Sequence, residues 1–239
     1  MPTQRFGTEY GGYYYLNPLQ LSPNPIIYSF GAGEDISHDV MLARVTGAPV
    51  HIFDPTPRAI EHVDLVKRVF SDIEKPIPSK RFGGGDTNYW ATLLTYRVAP
   101  DQLVLHPYGL WTSCTKTKFY LPTNPEYVSG SLVPEGRSVT DTIDVEVKDL
   151  QTIMNELGHT LSPDILKLDI ECVECDVLDH LLSKTKIRPK YIAVDFDTAR
   201  TGPDGSKRAY EVARRIMTDG YTVLHERSWD ITFLRNDGW

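Results

Sequence analysis

Short runs of β-branched and apolar residues alternate with amphipathic segments along most of this 239-residue chain. Such alternation is typical of strand and helix units that build a mainly parallel sheet. The predicted strands span residues 26–30, 49–53, 103–108, 165–170, 191–196, 221–226 and 231–234. The last two are too close for a helical crossover and should pair as an antiparallel hairpin at one edge. We therefore expect a doubly wound α/β fold with a mainly parallel, seven-stranded sheet and a C-terminal antiparallel hairpin.

The segments between these strands predict helices and some longer connections. The predicted helices span residues 35–46, 57–70, 150–157, 174–182 and 207–219. Residues 1–22 are expected to form an N-terminal arm or lid, and residues 71–100 and 114–140 to form insertions or loops. Because 239 residues suffice for one well-buried core but would leave two domains undersized, residues 1–239 are treated as a single domain.

Bulk composition narrows the class of partner. The net charge of −7 comes without a basic stripe, which argues against nucleic acid and favours a small-molecule or glycan acceptor. No apolar stretch is long enough to cross a bilayer, and the start of the chain does not resemble a signal peptide, so no membrane partner is expected. The odd number of cysteines, three, agrees with a reducing compartment, and the expected location is cytoplasmic. The sequence does not indicate an oligomeric state.

A glycine turn follows the strand that ends at Phe30, and a helix is predicted to begin near Asp35. Glycines let such a turn bend sharply and let a ligand approach its amides, although a tight turn without a ligand is the alternative. The next strand ends at Asp54, whose carboxylate would suit ribose hydroxyls or, alternatively, cap the following helix. The predicted cofactor site contains Phe30, Gly31, Ala32, Gly33, Glu34, Asp35, Asp54, Pro55 and Thr56.

Three residues of the turn discriminate between cofactors. A dinucleotide-binding turn has a third glycine where this chain has Ile36, and Glu34 and Asp35 place negative charge where a pyrophosphate would lie. The same carboxylates suit the ammonium group and the sulfonium charge of S-adenosylmethionine. We therefore expect S-adenosylmethionine, with an NAD-linked oxidoreductase or a non-catalytic binding module that keeps the cofactor fold as alternatives.

Polar residues interrupt the strand predicted over residues 165–170, which should be central and apolar on both faces. Lys167, Asp169 and Glu171 share one face of it by the period of two. The functional interpretation is that Asp169 and Glu171 face the acceptor, with Asp169 as the base for a hydroxyl. The alternative is a structural ion pair between Lys167 and Asp169.

Further candidates lie at neighbouring strand ends. Asp195 and Asp197 follow the next strand, and with Asp169 they could hold a divalent ion such as Mg²⁺ that acidifies an acceptor hydroxyl, although acids at strand tips are often simply solvated. His225 is a second candidate base, or else an ordinary strand-end histidine. Cys172 and Cys175 lack further zinc ligands and are interpreted as small buried residues.

Aromatic residues near the N-terminus are candidates for a lid over the acceptor, because aromatic rings stack on sugars. They are Tyr10, Tyr13, Tyr14 and Tyr15, together with the segment 81–90. The alternative is that these tyrosines pack an N-terminal arm against the core.

Three blocks, at residues 28–37, 50–57 and 166–171, resemble the FkbM family of methyltransferases in order and spacing, with weaker likeness at 106–110 and 145–150. The resemblance implies a Rossmann-like class I methyltransferase fold, S-adenosylmethionine as cofactor, and methyl transfer usually to a hydroxyl of a sugar or natural product. By position, Gly31, Gly33 and Glu34 would line the methionine end and Asp54 the ribose. Asp169 and Glu171 would border the reaction centre. The adenine side would be lined by Tyr108, Gly109 and Leu110.

Two positions depart from the pattern of that family. Methyltransferases usually have an acid two residues before the first glycine, where this chain has Ser29, so Glu34 or Asp35 would have to hold the ammonium group. The family usually has glycine directly after the last block, where this chain has Cys172.

Overall fold

The computed structural model describes residues 1–77, 82–122, 130–134 and 139–236. Six α-helices lie in this part of the chain: α1 Ser37–Thr46, α2 Pro57–Phe70, α3 Tyr89–Thr95, α4 Leu150–Glu156, α5 Glu174–Lys184 and α6 Pro203–Thr218. Its strands are β1 Thr3–Phe6, β2 Tyr13–Leu16, β3 Ile27–Phe30, β4 Val50–Phe53, β5 Leu103–His106, β6 Gly109–Leu110, β7 Thr115–Pro122, β8 Val139–Lys148, β9 Ile165–Leu168, β10 Tyr191–Asp195, β11 Tyr221–Arg227 and β12 Asp230–Arg235.

The main sheet is a mixed, mostly parallel sheet with the strand order β11-β12-β10-β9-β3-β4-β5. Strands β5, β4, β3, β9 and β10 pair in parallel, while β12 is antiparallel to both β10 and β11. Every residue of β3 and β9 is buried, as expected for central parallel strands. The expected α/β class, with a closing C-terminal hairpin, is therefore confirmed.

The helices cover both faces of this sheet and begin where local chemistry favours them. Helix α2 has the predicted bounds, with Pro57 in its first turn and the Thr56 side chain as its N-cap. Helix α1 begins at Ser37, two residues later than predicted, because Asp35 instead accepts a hydrogen bond from the Ser37 amide. Helix α6 begins earlier than predicted, at Pro203, which follows Gly202.

Segments predicted as an arm and as loops contain regular structure. The arm includes the hairpin of β1 and β2, whose Tyr13 and Tyr15 are buried. The segment 114–140 contributes to a three-stranded sheet of order β6-β8-β7, and α3 lies within the segment 71–100. Residues 78–81, 123–129 and 135–138 of these segments lie outside the described part. The strand predicted over 103–108 is wrong at its end, because β5 stops at His106 and Gly109 begins β6 in the other sheet.

Two apolar clusters form the core, one centred on α1 and α2 and the other on α4, α5 and α6. Among the described helices, none is long and apolar enough to cross a membrane.

Candidate active site

A cavity of about 910 Å³ opens at the carboxyl ends of β3, β4, β9 and β10. Ligands of open α/β sheets bind at this edge, and binding cavities for small molecules commonly measure ~300–1,000 Å³. The cavity brings together most of the predicted site residues: Phe30, Gly31, Ala32, Gly33, Glu34, Asp35, Asp54, Pro55, Thr56, Gly109, Leu110, Asp169, Glu171, Asp195 and Asp197.

Two predicted site residues and Ser29 do not line the cavity. The Tyr108 ring packs on Phe53, with the Lys148 ammonium group 4.4 Å from its centroid. His225 stacks on Tyr14 with 3.7 Å between ring centroids, outside the main cavity. Ser29 is completely buried and has no carboxylate, so any acid for a cofactor ammonium group must come from another position.

The glycine turn has its amides bonded within the protein. Gly31 has φ +82° and its amide donates to the Phe53 carbonyl at 2.9 Å. The amides of Ala32 and Gly33 donate to one Asp54 carboxylate oxygen at 2.9 and 3.1 Å. The Asp35 amide donates to the Ala32 carbonyl. The amides of Gly31, Ala32, Gly33 and Asp35 are therefore bonded within the protein, and a ligand that used them would have to displace these bonds.

Asp54 shapes this turn from the neighbouring strand. Its second carboxylate oxygen accepts from the Thr56 amide at 2.9 Å and the Thr56 hydroxyl at 2.6 Å. The N-cap of α2 is Thr56, so the capping alternative for Asp54 is wrong. Although only 6% of Asp54 is exposed, it lines the cavity and connects the turn, β4 and the start of α2.

The two acids after the turn have different environments. The Glu34 carboxylate forms a two-pronged ion pair with Arg58, at 2.9 Å from Nη2 and 3.3 Å from Nε. Asp35 accepts from the Thr8 hydroxyl and the Ser37 amide, and burial raises the pKa of its carboxyl group. Arg58 was not identified from the sequence. Its position in the first turn of α2, beside the glycine turn, was the signal that could have identified it.

Strand β9 and the residue that follows it, Asp169, provide both an ion pair with Lys167 and an acid exposed to the cavity; the predicted strand 165–170 is two residues too long. Lys167 is only 4% exposed; its ammonium group donates to the Gly31 carbonyl and lies 3.2 Å from an Asp169 carboxylate oxygen. The Asp169 side chain is nevertheless 35% exposed and lines the cavity. Burial and the charge of Glu171 raise the pKa of Asp169, while Lys167 opposes that shift.

An acidic cluster adjoins Asp169. Carboxylate oxygens of Asp169, Asp195 and Asp197 lie within 4.8 Å of one another, a spacing that could hold a metal ion. The Arg200 guanidinium, which sequence reasoning missed, donates to Asp195 at 2.6 Å and also to Asp197. Burial, with the charges of Asp169 and Asp197, raises the pKa of Asp195 to about 9, against the opposing effect of Arg200.

The N-terminal hairpin contributes one side of the cavity. Glu9 pairs with Arg227 of the C-terminal hairpin at 2.6 Å, and the exposed Tyr10 lies over Gly84. Of the predicted lid tyrosines, Tyr10 and Tyr13 line the cavity, whereas Tyr15 packs inside the core. The arm therefore contains both packing residues and cavity residues. Of the other predicted lid segment, Arg81 lies outside the described residues.

Comparison with known proteins gives one fold relationship. No protein-family model matches the sequence, and no curated protein matches it. The crystal structure of methyltransferase FkbM from Methylobacillus flagellatus KT matches 91% of this chain with a TM-score of 0.50 and 16% sequence identity. The match covers 45% of that protein, so this chain corresponds to about half of its length. At this level of identity the likeness shows a methyltransferase-like α/β fold alone.

Proposed function

We propose that this protein is an S-adenosylmethionine-dependent methyltransferase that methylates a hydroxyl group of a sugar or another small hydroxylated acceptor. The observation that carries the proposal is the chemistry of the glycine turn. Its amides are bonded to Asp54, Phe53 and Ala32, while carboxylates line the cavity beside it. Such a surface suits a cationic ligand and opposes a pyrophosphate.

An NAD-linked oxidoreductase is correspondingly less well supported. Dinucleotide-binding turns hold the pyrophosphate with backbone amides at a helix N-terminus. Here the Ser37 amide at the start of α1 is bonded to Asp35, and the Ile36 amide to the Tyr89 hydroxyl at 3.3 Å. A pyrophosphate would have to displace these bonds and approach the carboxylates of Asp35 and Asp54.

The residues present fit the expected parts of S-adenosylmethionine. Asp54, at the tip of β4, would accept from the ribose hydroxyls in exchange for some of its present bonds to Thr56 and the turn amides. Asp35 is the better candidate for the ammonium group, since Arg58 already pairs with Glu34. Gly109 and Leu110 would lie on the adenine side. When bound, this cofactor supplies an electrophilic methyl group on a positively charged sulfur.

The chain itself has to position the acceptor and remove its proton. Most of the rate of an in-line displacement can come from holding the reacting groups close together. Asp169 is exposed to the cavity, and its raised pKa brings it nearer to the range of an effective general base. Lys167 fixes the Asp169 carboxylate by the contact at 3.2 Å. A Mg²⁺ ion at Asp169, Asp195 and Asp197 would have to compete with the Arg200 guanidinium for Asp195 and Asp197, and we assign no metal a role.

Native mass spectrometry of the purified protein tests the proposal without knowledge of the acceptor. The expected result is a carried S-adenosyl ligand, or uptake of S-adenosylhomocysteine at one molecule per chain. Incubation with methyl-labelled cofactor and a panel of glycosides then separates an enzyme, which labels a product, from a binding module. Uptake of a nicotinamide dinucleotide instead would overturn the proposal.

A further inference from the structure

The ribbon formed by β7 and β8 has one charged face and one mainly apolar face, which also carries Thr115 and Thr117 and is called the apolar face below. Its antiparallel register places Thr117 opposite Val145 and Lys118 opposite Asp144. Because side chains alternate along a strand, the exposed Lys118–Asp144 ion pair, at 2.8 Å, lies on one face of the ribbon. Val145 and Val147 are buried on the other face, and Phe119 shares it.

The apolar face of the ribbon forms a wall of the cavity. Phe119, Pro122 and Val147 of the ribbon line the cavity, and so do Gly130 and Leu132 of the described segment between its two strands; all five are apolar. Leu110, Ile170 and Val173 add further apolar surface to the same cavity. We call the set Phe119, Pro122 and Leu132 the ribbon wall; Val147 pairs with Gly109, on the proposed adenine side. An apolar wall of this kind favours the binding of a ligand with an apolar portion, because binding removes apolar ligand surface from water.

The ribbon wall is fixed in place beside the acidic strand ends. A Cβ atom at Gly130 would lie 2.2 Å from Cε1 of Phe119, so this ring rests directly on the backbone. Tyr120 and Ser131 exchange backbone hydrogen bonds at 2.7 and 3.0 Å. The Ser131 hydroxyl then donates to the Glu171 carbonyl at 2.5 Å. The apolar wall is therefore joined to the segment that carries Asp169 and Glu171.

We propose that the methyl acceptor is an uncharged amphipathic molecule whose apolar portion packs on the ribbon wall while its hydroxyl group reaches Asp169. This inference rests on the proposed function and specifies its acceptor class. The acidic residues that line the same cavity, among them Asp169, Asp197 and Asp230, outnumber its cations Lys167, Arg200 and Arg227, and this balance disfavours a phosphorylated acceptor. Phe119 is accordingly a specificity-determining residue and takes no part in the chemical step.

The test uses methyl, butyl and hexyl β-D-glucosides as probes, titrated calorimetrically into the protein with and without saturating S-adenosylhomocysteine. Each fully buried methylene group corresponds to about a fourfold gain in affinity. We expect affinity to rise at least about tenfold from methyl to hexyl glucoside in the wild type. Hexyl phosphate should bind more weakly than hexyl glucoside, because acidic residues predominate among the charged residues that line the cavity.

Variants of the ribbon separate the wall from general stability. Phe119→Ala and, as a second variant, Leu132→Ser should remove most of the dependence on chain length and leave S-adenosylhomocysteine affinity within about twofold. Lys118→Ala, on the outer face, is the matched control and should behave as wild type. Equal affinity across the glucosides, or unchanged chain-length dependence in both variants, overturns the inference. Failure of S-adenosylhomocysteine to bind overturns the proposed function instead, whatever the glucosides do.

Discussion

Gly31 packs against the backbone of Asp169 so closely that a Cβ atom at Gly31 would lie 1.8 Å from the Asp169 carbonyl oxygen. The Asp169 amide in turn donates to the Phe30 carbonyl at 3.1 Å. These contacts join the glycine turn after β3 to the exit of β9. The glycine turn that is proposed to bind the cofactor and the proposed base, Asp169, are therefore positioned by the same backbone contact.

Gly31→Ala should disrupt both parts of the site. The new methyl group would overlap the Asp169 carbonyl, so we expect a loss of more than about 2 kcal/mol of unfolding free energy and no detectable S-adenosylhomocysteine binding. Gly47→Ala is the control, since Gly47 also has positive φ, +70°, but no atom lies within 4 Å of its Cβ position. It should cost only about 1 kcal/mol from backbone strain. Equal losses in urea denaturation of the two variants would contradict the packing argument.

Asp54→Asn should loosen the turn without removing the side chain. An amide has one acceptor oxygen, so it cannot serve both the Ala32 and Gly33 amides and the Thr56 amide and hydroxyl group. We expect a loss of about 1–3 kcal/mol in stability and at least tenfold weaker S-adenosylhomocysteine binding by calorimetry. Asp64→Asn, an exposed change on α2, is the control. If Asp54→Asn bound S-adenosylhomocysteine as tightly as the wild type, Asp54 would not be part of the cofactor site.

Asp169→Asn should remove the proposed base. General-base catalysis commonly contributes about 10²–10⁴-fold, and turnover of any glycoside found to be a substrate should fall by at least about 100-fold. The measurement is the rate of methylated product by mass spectrometry at saturating cofactor. Asp144→Asn, on the outer face of the ribbon, should retain activity. Full turnover by Asp169→Asn would show that the base assignment is wrong.

Asp195 gives the stability a defined pH dependence. Its pKa is raised from an ordinary value of 3.8 to about 9 by burial and by Asp169 and Asp197, so the folded state binds its proton more tightly than the unfolded state. Its contribution to stability is complete below pH 4 and is lost as the pH rises towards 9. The Asp195→Asn variant does not lose stability in this way, because an asparagine side chain does not ionise. Its unfolding free energy relative to wild type should therefore rise with pH between 5 and 8, by at most about 1.4 kcal/mol per pH unit. A pH-independent difference would contradict the assignment.

Cys172→Gly should stabilise the fold. Glu171 and Cys172 have φ values of +55° and +70°, a conformation that costs non-glycine residues about 1–2 kcal/mol. Relief of that strain at Cys172 should exceed the loss of one small buried side chain and raise stability by about 1 kcal/mol. Cys175→Gly, inside α5, should instead destabilise by about that amount or more. Thermal unfolding of the two variants tests the contrast; destabilisation by Cys172→Gly would show that its thiol packing outweighs the strain.

The sequence was sufficient for the main sheet, because buried parallel strands and amphipathic helices leave strong periodic patterns. It also predicted which residues would meet at the strand ends, since parallel strands present their carboxyl ends to one edge. It could not predict the charge partners Arg58 and Arg200, which depend on how helices and loops pack against that edge. Side chains at irregular backbone positions, such as His225 and Tyr108, were also misplaced, because the strand period does not describe irregular backbone.

His225 and Tyr108 illustrate that limit in physical terms. The pairing of β11 with β12 shifts register between Val223 and His225, and such a shift changes which face later side chains occupy. The chain leaves the main sheet after His106 and enters the ribbon sheet at Gly109, so the strand period no longer describes Tyr108. The ribbon itself has an apolar face of only a few residues, and its pattern is broken by a register shift between Tyr120 and Pro122.

Calorimetric titration of the wild-type protein with S-adenosylhomocysteine and, separately, with NADH tests the central claim most directly. The claim is that a glycine turn with bonded amides and carboxylate neighbours accepts an S-adenosyl compound and excludes a pyrophosphate. We predict saturable binding of S-adenosylhomocysteine at one molecule per chain and no measurable heat with NADH. Tight binding of NADH, with no heat from the S-adenosyl compound, would contradict it.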